Sequence, residues 1–379
     1  MSDPLLGSSS PLAPALYQSS VYKLADLDAL ERISTGKEPG FIYVRDDHPN
    51  ARMLAAELAK VEGATWAVLC GSGMAAVTAT VLAVVQQGDR IIASDKLYGR
   101  TTQFLTKELP RFGVRTDFID PSDLAAVDAA LERPAKIFIV ETISNPMLRM
   151  PDVPALVERC RGRKCPLFVD NTFATPALLR PLDLGADFVM ESLTKMIGGH
   201  SDVLLGVVCG KNDLVERINQ TRIVWGLSSS PFECWLAQRG LSTLAVRMEA
   251  ASTNAAKLAD WLAGQPGVSR VVYPGRADHP DHAVAKRVLR ERYGNMLCFE
   301  LRGGRDAVNR FMRQAPGIPF SPSLGDVVTT CSYPVGTSHR YADPGERARQ
   351  GITEGLIRLS VGAEPYEQLH AEMKRGLAT

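Results

Sequence analysis

A charge excess is missing from this chain. Its 43 Lys and Arg stand against 42 Asp and Glu, a formal net charge of +1. Nucleic-acid binders usually show a basic excess or a basic stripe, so no nucleic-acid partner is expected. The same balance argues against a polybasic membrane anchor. Long apolar runs are missing too. The longest nearly apolar stretch, Met74–Val85, is about a dozen residues, against roughly 20 for a membrane span. The first residues, Met1-Ser2-Asp3-Pro4, carry no basic segment ahead of an apolar one, so no secretory leader is expected. Cysteine is sparse and odd in number: seven residues, none in a C-x-x-C pair. Cys70, Cys209 and Cys298 sit in apolar, strand-like runs. The reading is free, buried thiols in a reducing cytoplasm, with no disulfide framework and no metal site. Internal repeats and low-complexity tracts are also absent.

What is present is an ordinary globular composition, 45% apolar and 22% charged. A chain of 379 residues is long enough for about two domains. Residues 1–50 are rich in Pro, Ser and Gly and weakly periodic, which reads as an extended arm. Ala51–Glu62 has helical spacing at Met53, Leu54, Leu58 and Val61. Short apolar runs then alternate with helices. Strands are expected at Trp66–Cys70, Ile91–Ala93, Asp117–Ile119, Lys136–Val140, Leu167–Val169, Phe188–Met190 and Leu204–Val208. Helices are expected at Met74–Val85 and Val153–Cys160. Apolar strands separated by helices imply a mostly parallel sheet covered on both faces, so residues 51–240 read as a large α/β domain. A helix near Arg247–Leu262 leads into residues 241–379. There, strands at Val271–Tyr273, Met296–Leu301 and Ile357–Ser360 and helices at Ala283–Glu291 and Tyr366–Arg375 imply a smaller C-terminal α/β domain.

Four constellations carry chemistry. Gly71-Ser72-Gly73-Met74-Ala75-Ala76 follows a strand and opens a helix, offering free N–H groups and a positive dipole end to a phosphate. It also partly matches the dinucleotide fingerprint G-x-G-x-x-A, with Asp95 after the next strand, so a nicotinamide-dependent dehydrogenase stays open as a reading. A plain tight turn is the third. Leu167-Phe168-Val169-Asp170 ends an apolar strand in a carboxylate, either at the ligand-binding edge of a parallel sheet or as a cap. Glu191-Ser192-Leu193-Thr194-Lys195 places a lysine behind two hydroxyls and before Gly198-Gly199. Partial desolvation would make such an amine a nucleophile, whereas a surface lysine would do nothing. Arg358 sits inside the apolar strand around Ile357–Val361. A buried guanidinium needs a carboxylate partner, from a substrate or from the chain itself. Together, a phosphate cradle, a strand-end Asp, a Lys beside hydroxyls and a late Arg are what a pyridoxal phosphate enzyme acting on an amino acid requires.

From about Tyr17 to residue 375 the sequence resembles the pyridoxal phosphate enzymes of cysteine and methionine metabolism, the cystathionine and methionine γ-lyases, cystathionine γ-synthases and homoserine sulfhydrylases. The resemblance rests on Ser72-Gly73-Met74-Ala75-Ala76, the segments 95–101, 141–146, 170–176, 192–202 and 358–364, and Tyr273-Pro274-Gly275 with His279-Pro280-x-His282. It implies fold type I, and a homotetramer built from two catalytic dimers. It implies that Lys195 carries pyridoxal 5'-phosphate and that Asp170 faces the pyridine nitrogen. Gly73, Met74, Ser192 and Thr194 resemble phosphate contacts, and Tyr98 resembles the tyrosine stacked on the ring. Asn145, Ser323 and Arg358 resemble the group that binds the substrate carboxylate. Tyr43 and Arg45 resemble a pair that reaches from the N-terminal arm to the neighbouring subunit's phosphate. The implied activity is carbon–sulfur lyase chemistry with Lys195, Tyr98 and Asp170 catalytic, γ-elimination giving a 2-oxo acid, ammonia and a thiol; γ-replacement on an activated homoserine is the alternative. The sequence departs from the family at Asp46-Asp47-His48 and at Asp326, where a glycine is usual.

Overall fold

The structure, a computed structural model, describes residues 9, 11–340 and 343–378. Strands β1 (Trp66–Cys70), β2 (Arg90–Ser94), β3 (Arg115–Ile119), β4 (Phe138–Glu141), β5 (Leu167–Asp170), β6 (Phe188–Ser192) and β7 (Gly206–Gly210) form one sheet in the order β1-β7-β6-β5-β4-β2-β3. Strands β2 to β6 pair in parallel, while β7 runs antiparallel between β1 and β6. The apolar runs divide cleanly between its faces. Ile92, Phe138, Val140, Leu167 and Val169 pack on the side of helix Val153–Gly162. Ile91, Ala93, Ile139, Phe168 and Phe188 pack on the side of helix Gly73–Val84. That second helix is apolar all round because it is buried all round.

The C-terminal part holds a second sheet, β8 (Val268–Val272), β9 (Met296–Leu301), β10 (Thr330–Ser332) and β11 (Leu356–Ser360), ordered β10-β11-β9-β8 and antiparallel throughout. Helices Leu244–Ala263, Gly304–Gln314 and Tyr366–Gly376 pack against it through Leu258, Val308, Phe311 and Leu369. Among the described residues, no helix is long and apolar enough to cross a membrane. All seven cysteines are free and buried.

The structure departs from the sequence expectations at three places. The arm is not wholly extended: Leu27–Ser34 is a helix, started by Asp26, whose carboxylate accepts from Ala29 N at 2.7 Å. The strand expected at Leu204–Val208 begins at Gly206. Leu204 points out, and the backbone of Leu205 is taken up by Thr194 Oγ1. From residue 206 the chain enters between β1 and β6, and a Cβ there would lie 2.2 Å from the Ser72 carbonyl, so only glycine passes. Strand β10 went unseen because three residues, Thr-Cys-Ser, show no period.

Two acids outside the candidate site, Glu62 and Glu191, are buried without an ion-pair partner among the described residues. Glu62, at the end of helix Pro49–Glu62, lies near Glu191 on β6, both are almost fully inaccessible, and neither Glu62 carboxyl oxygen finds a hydrogen-bond partner among the described residues. Glu191 Oε1 accepts from Asn171 Nδ2 at 2.9 Å. Burial, and for Glu191 the facing carboxyl, push both protonation equilibria upward. A carboxyl whose pKa is raised by folding contributes stability that is lost as pH rises above its ordinary value. Glu62→Gln therefore should flatten the fall in stability on the alkaline side, by roughly 1–3 kcal/mol. Urea unfolding of wild type and variant from pH 6 to 9 checks this; parallel pH profiles would contradict a raised Glu62 carboxyl.

Candidate active site

The turn after β1 and the end of β6 are pressed together. Ser72 caps the following helix, its hydroxyl accepting from Ala75 N at 3.0 Å. A Cβ on Gly73 would lie 2.9 Å from the Ser192 Cβ, so glycine lets Ser192 close on the helix start. Ser192 N donates to Thr172 Oγ1 at 2.9 Å. The Ser192 hydroxyl has no partner among the described residues, while Thr194 Oγ1 exchanges bonds of 3.2 Å with both backbone groups of Leu205. The open hydroxyl at this helix N-terminus is therefore that of Ser192. Met74 faces Thr101, whose hydroxyl meets its sulfur at 3.7 Å.

Asp170 and Glu141 stand side by side at the ends of β5 and β4, in register. Thr172 N donates to Asp170 Oδ1 at 3.0 Å. Burial raises the Asp170 carboxyl to about 6, and no cation of the described residues pairs with it. Burial, with Asp170 adding to it, holds Glu141 well above the usual carboxylate range. Glu141 Oε1 accepts from Tyr98 N at 2.5 Å and so anchors the loop that carries Tyr98, whose side chain is exposed. Glu141 and Thr172 were missed as site residues. The rule that found Asp170, an acid closing an apolar strand, applies equally to Glu141.

Lys195, Ser323, Asn145 and Arg358 converge from distant parts of the chain. Lys195 Nζ donates to Ser323 Oγ at 3.1 Å. Arg358 Nη1 donates to Asn145 Oδ1 at 2.7 Å and Nη2 to the Ser323 carbonyl at 3.1 Å. Its Nε is buried without a partner. No carboxylate of the described residues pairs with this guanidinium, which burial lowers to about 10. Gly325, at φ 88°, makes the convergence possible: a Cβ there would lie 2.5 Å from Met196 N and 2.7 Å from the Lys195 carbonyl carbon. The departure at Asp326 is accommodated by its own turn, the carboxylate accepting from Ser201 and from Val328 N.

Burial, then the nearby Arg358, lowers the Lys195 ammonium from 10.5 to about 8. The neutral, nucleophilic amine consequently accumulates as pH rises through 8 rather than through 10.5. The rate at which cofactor-free protein captures pyridoxal phosphate should rise up to about that pH and then level. Stopped-flow absorbance at a series of pH values measures it; a rate still climbing steeply past pH 10 would contradict a desolvated Lys195.

Tyr43 and Arg45 do not join this cluster. They are exposed, with Arg45 Cζ stacked 5.4 Å from the Tyr43 ring centroid. The other departures have structural uses. His48 caps helix Pro49–Glu62, its Nδ1 accepting from Ala51 N at 3.1 Å, and Asp47 pairs with Arg52 at 2.7 Å. His279 Nδ1 accepts from Asp281 N, and His282 Nδ1 meets the Pro274 carbonyl. No group of three or more potential metal ligands occurs among the described residues.

The residues fit pyridoxal phosphate in each part: an open hydroxyl at a helix N-terminus for the phosphate, a carboxylate lacking a cation for the ring nitrogen, and a desolvated amine for the aldehyde. The family described as Cys/Met metabolism PLP-dependent enzyme matches residues 6–378. The chain is 40% identical to an O-succinylhomoserine sulfhydrylase of Pseudomonas aeruginosa, over 96% of this chain and 90% of that one. It is 36% identical to an L-methionine gamma-lyase of Pseudomonas putida, over 97% and 92%. It superposes on a cystathionine gamma synthase of Xanthomonas oryzae pv. oryzae with a TM-score of 0.91 at 33% identity, covering 97% and 92%. These findings overturn the dehydrogenase reading. Asp95, which that reading needed for a ribose, is instead paired with Lys96 at 2.8 Å. The chain belongs to the pyridoxal phosphate-dependent enzymes of cysteine and methionine metabolism.

Proposed function

We propose that this enzyme breaks the carbon–sulfur bond of a sulfur amino acid by γ-elimination, releasing a 2-oxo acid, ammonia and a thiol. The observation that carries the proposal is the Lys195–Ser323–Arg358–Asn145 cluster, which joins a neutralisable amine to a carboxylate clamp. Arg358, steadied by Asn145 and the Ser323 carbonyl, binds the substrate α-carboxylate. Lys195, beside Ser323, would take the Cα proton and then a Cβ proton, and the Cβ electron pair so freed expels the γ-sulfur. When bound, pyridoxal phosphate supplies the electron sink. Asp170 holds the positive charge of the ring nitrogen, and Tyr98 delivers a proton to the departing sulfur. Tyr43 and Arg45 of the arm serve the phosphate of a neighbouring subunit, within a dimer of catalytic dimers. This gives two exposed, stacked side chains a use that their own subunit does not offer.

The γ-replacement reading has one specific support, the 40% identity to a sulfhydrylase. A panel of L-methionine, L-cystathionine, and O-succinylhomoserine with sulfide, scored for 2-oxo acid and, in the last case, for homocysteine, separates the two. Homocysteine formation from O-succinylhomoserine and sulfide, without 2-oxo acid from any of the three, would overturn elimination. On the preferred substrate, Arg358→Lys should raise KM roughly 100-fold with a smaller loss of kcat, since a bidentate clamp is lost from ground and transition states alike. An unchanged KM would remove Arg358 from the carboxylate.

A further inference from the structure

Arg222 lies on helix Val215–Val224 and is buried, an expensive place for a guanidinium. Among the described residues it has no carboxylate partner to offset that cost. The nearest candidates are otherwise engaged: Asp47 pairs with Arg52, and Asp46 faces Arg45 at 3.8 Å. Its five donors go elsewhere. Nη1 donates to the Arg45 carbonyl at 3.0 Å and to Ser228 Oγ at 3.1 Å, and Nη2 to the Asp46 carbonyl at 2.5 Å. Nε and Nη2 donate to Asn219 Oδ1 at 3.0 and 2.8 Å, which fixes the plane of the fork. Ser228 then donates to the same Arg45 carbonyl at 2.6 Å.

The same assembly touches the phosphate turn. Gly71, the residue before Ser72, donates its N–H to the Leu227 carbonyl at 2.9 Å, and a Cβ on Gly71 would lie 2.8 Å from the Ser228 carbonyl. One short segment, 227–228, is therefore packed against both the base of the turn and the backbone of the arm loop. A planar fork is suited to gripping two successive carbonyls, and a lysine is not. The grip leaves the Arg45 side chain free while fixing where its backbone stands.

We propose that Arg222 is a positioning residue for the active site of the neighbouring subunit. By holding the Arg45 and Asp46 carbonyls, with Ser228 as its second point, it sets the direction in which Tyr43 and Arg45 are presented across the boundary. This rests on the cross-subunit reading of Tyr43 and Arg45 given above. A merely structural tie would affect the subunit that carries it; a positioning role affects its neighbour.

The test uses Arg222→Met and, should that variant fold poorly, Ser228→Ala, which removes only the second donor. Affinity for pyridoxal phosphate is read from the visible absorbance of cofactor held on Lys195. The expected result is a Kd roughly tenfold weaker in the homomeric variant, with the Tm of the cofactor-free protein close to wild type. Hybrids are then made with Lys195→Ala subunits, so that the one reporting site receives its arm from a subunit with Arg222 intact. That site should regain the wild-type Kd. Parallel hybrids of Arg45→Ala with Lys195→Ala test the underlying reading. Restoration with Arg45→Ala but not with Arg222→Met overturns the positioning role alone. Failure of both overturns the cross-subunit site, and an unchanged Kd in homomeric Arg222→Met also overturns the inference.

Discussion

Lys195→Ala should lower kcat by at least about 10³-fold, since the loss of a positioned base alone is worth on the order of 10²–10⁴ and the covalent anchor of the cofactor goes with it. The physical case lies in the surroundings of the amine. Burial and the nearby Arg358 hold Lys195 near pKa 8, so a substantial neutral fraction exists at neutral to mildly alkaline pH, and Ser323 Oγ at 3.1 Å orients it. Reduction of the wild-type holoenzyme with borohydride, followed by peptide mapping, should place a pyridoxyl group on the peptide that contains Lys195. A pyridoxyl group found on another lysine, or a Lys195→Ala enzyme that turns over normally, would end the assignment. Stability should change little, because the amine makes one hydrogen bond and no ion pair among the described residues.

Asp170→Asn should cost on the order of 100-fold in kcat, the scale on which a fixed charge aimed at a reacting group acts, while leaving the fold almost untouched. The side chain accepts Thr172 N much as a capping residue does, and such a contact is worth about 1 kcal/mol. The direction of its pH dependence follows from burial. Folding without the cofactor raises the carboxyl from 3.8 to about 6. Such a group contributes stability that is present below 3.8 and lost as pH rises through about 6. A positively charged ring nitrogen would relieve that loss by pulling the equilibrium back down. The rise in Tm on adding pyridoxal phosphate should therefore be larger at pH 7.5 than at pH 5, and Asp170→Asn should remove most of the difference. Differential scanning calorimetry at the two pH values, beside kcat, measures both. Full turnover in Asp170→Asn would reduce this carboxylate to a turn cap.

Much of the candidate site was readable because its signals are local. Asp170 closes an apolar run, and an apolar run bounded by turn residues must be a buried strand, so the acid falls at the edge of a sheet. Gly71-Ser72-Gly73 needs no partner to be read as a turn into a capped helix. Lys195 was singled out by the company of Ser192, Thr194 and two glycines, and Arg358 by the cost of a guanidinium among Ile, Leu and Val. One exception teaches the same rule from the other side. Leu204 belongs to an apolar run yet points outward, because whether a run enters a sheet depends on the neighbour it would pair with.

The sequence by itself determined which residue types are available for chemistry and which stretches must be strand, turn or helix, since side-chain periodicity and backbone preference act over a few residues. Only the tertiary structure decided which of them meet. Ser323 reaches Lys195 across 128 positions, and Arg358 reaches Asn145 across 213. The first meeting is helped by Gly325, which lets its backbone lie against that of Lys195 and Met196. The burial of Glu62 beside Glu191 and the grip of Arg222 on Arg45 were equally hidden. A buried polar group takes whatever partner the packing of distant elements brings within about 3 Å, and no local period encodes which one that will be.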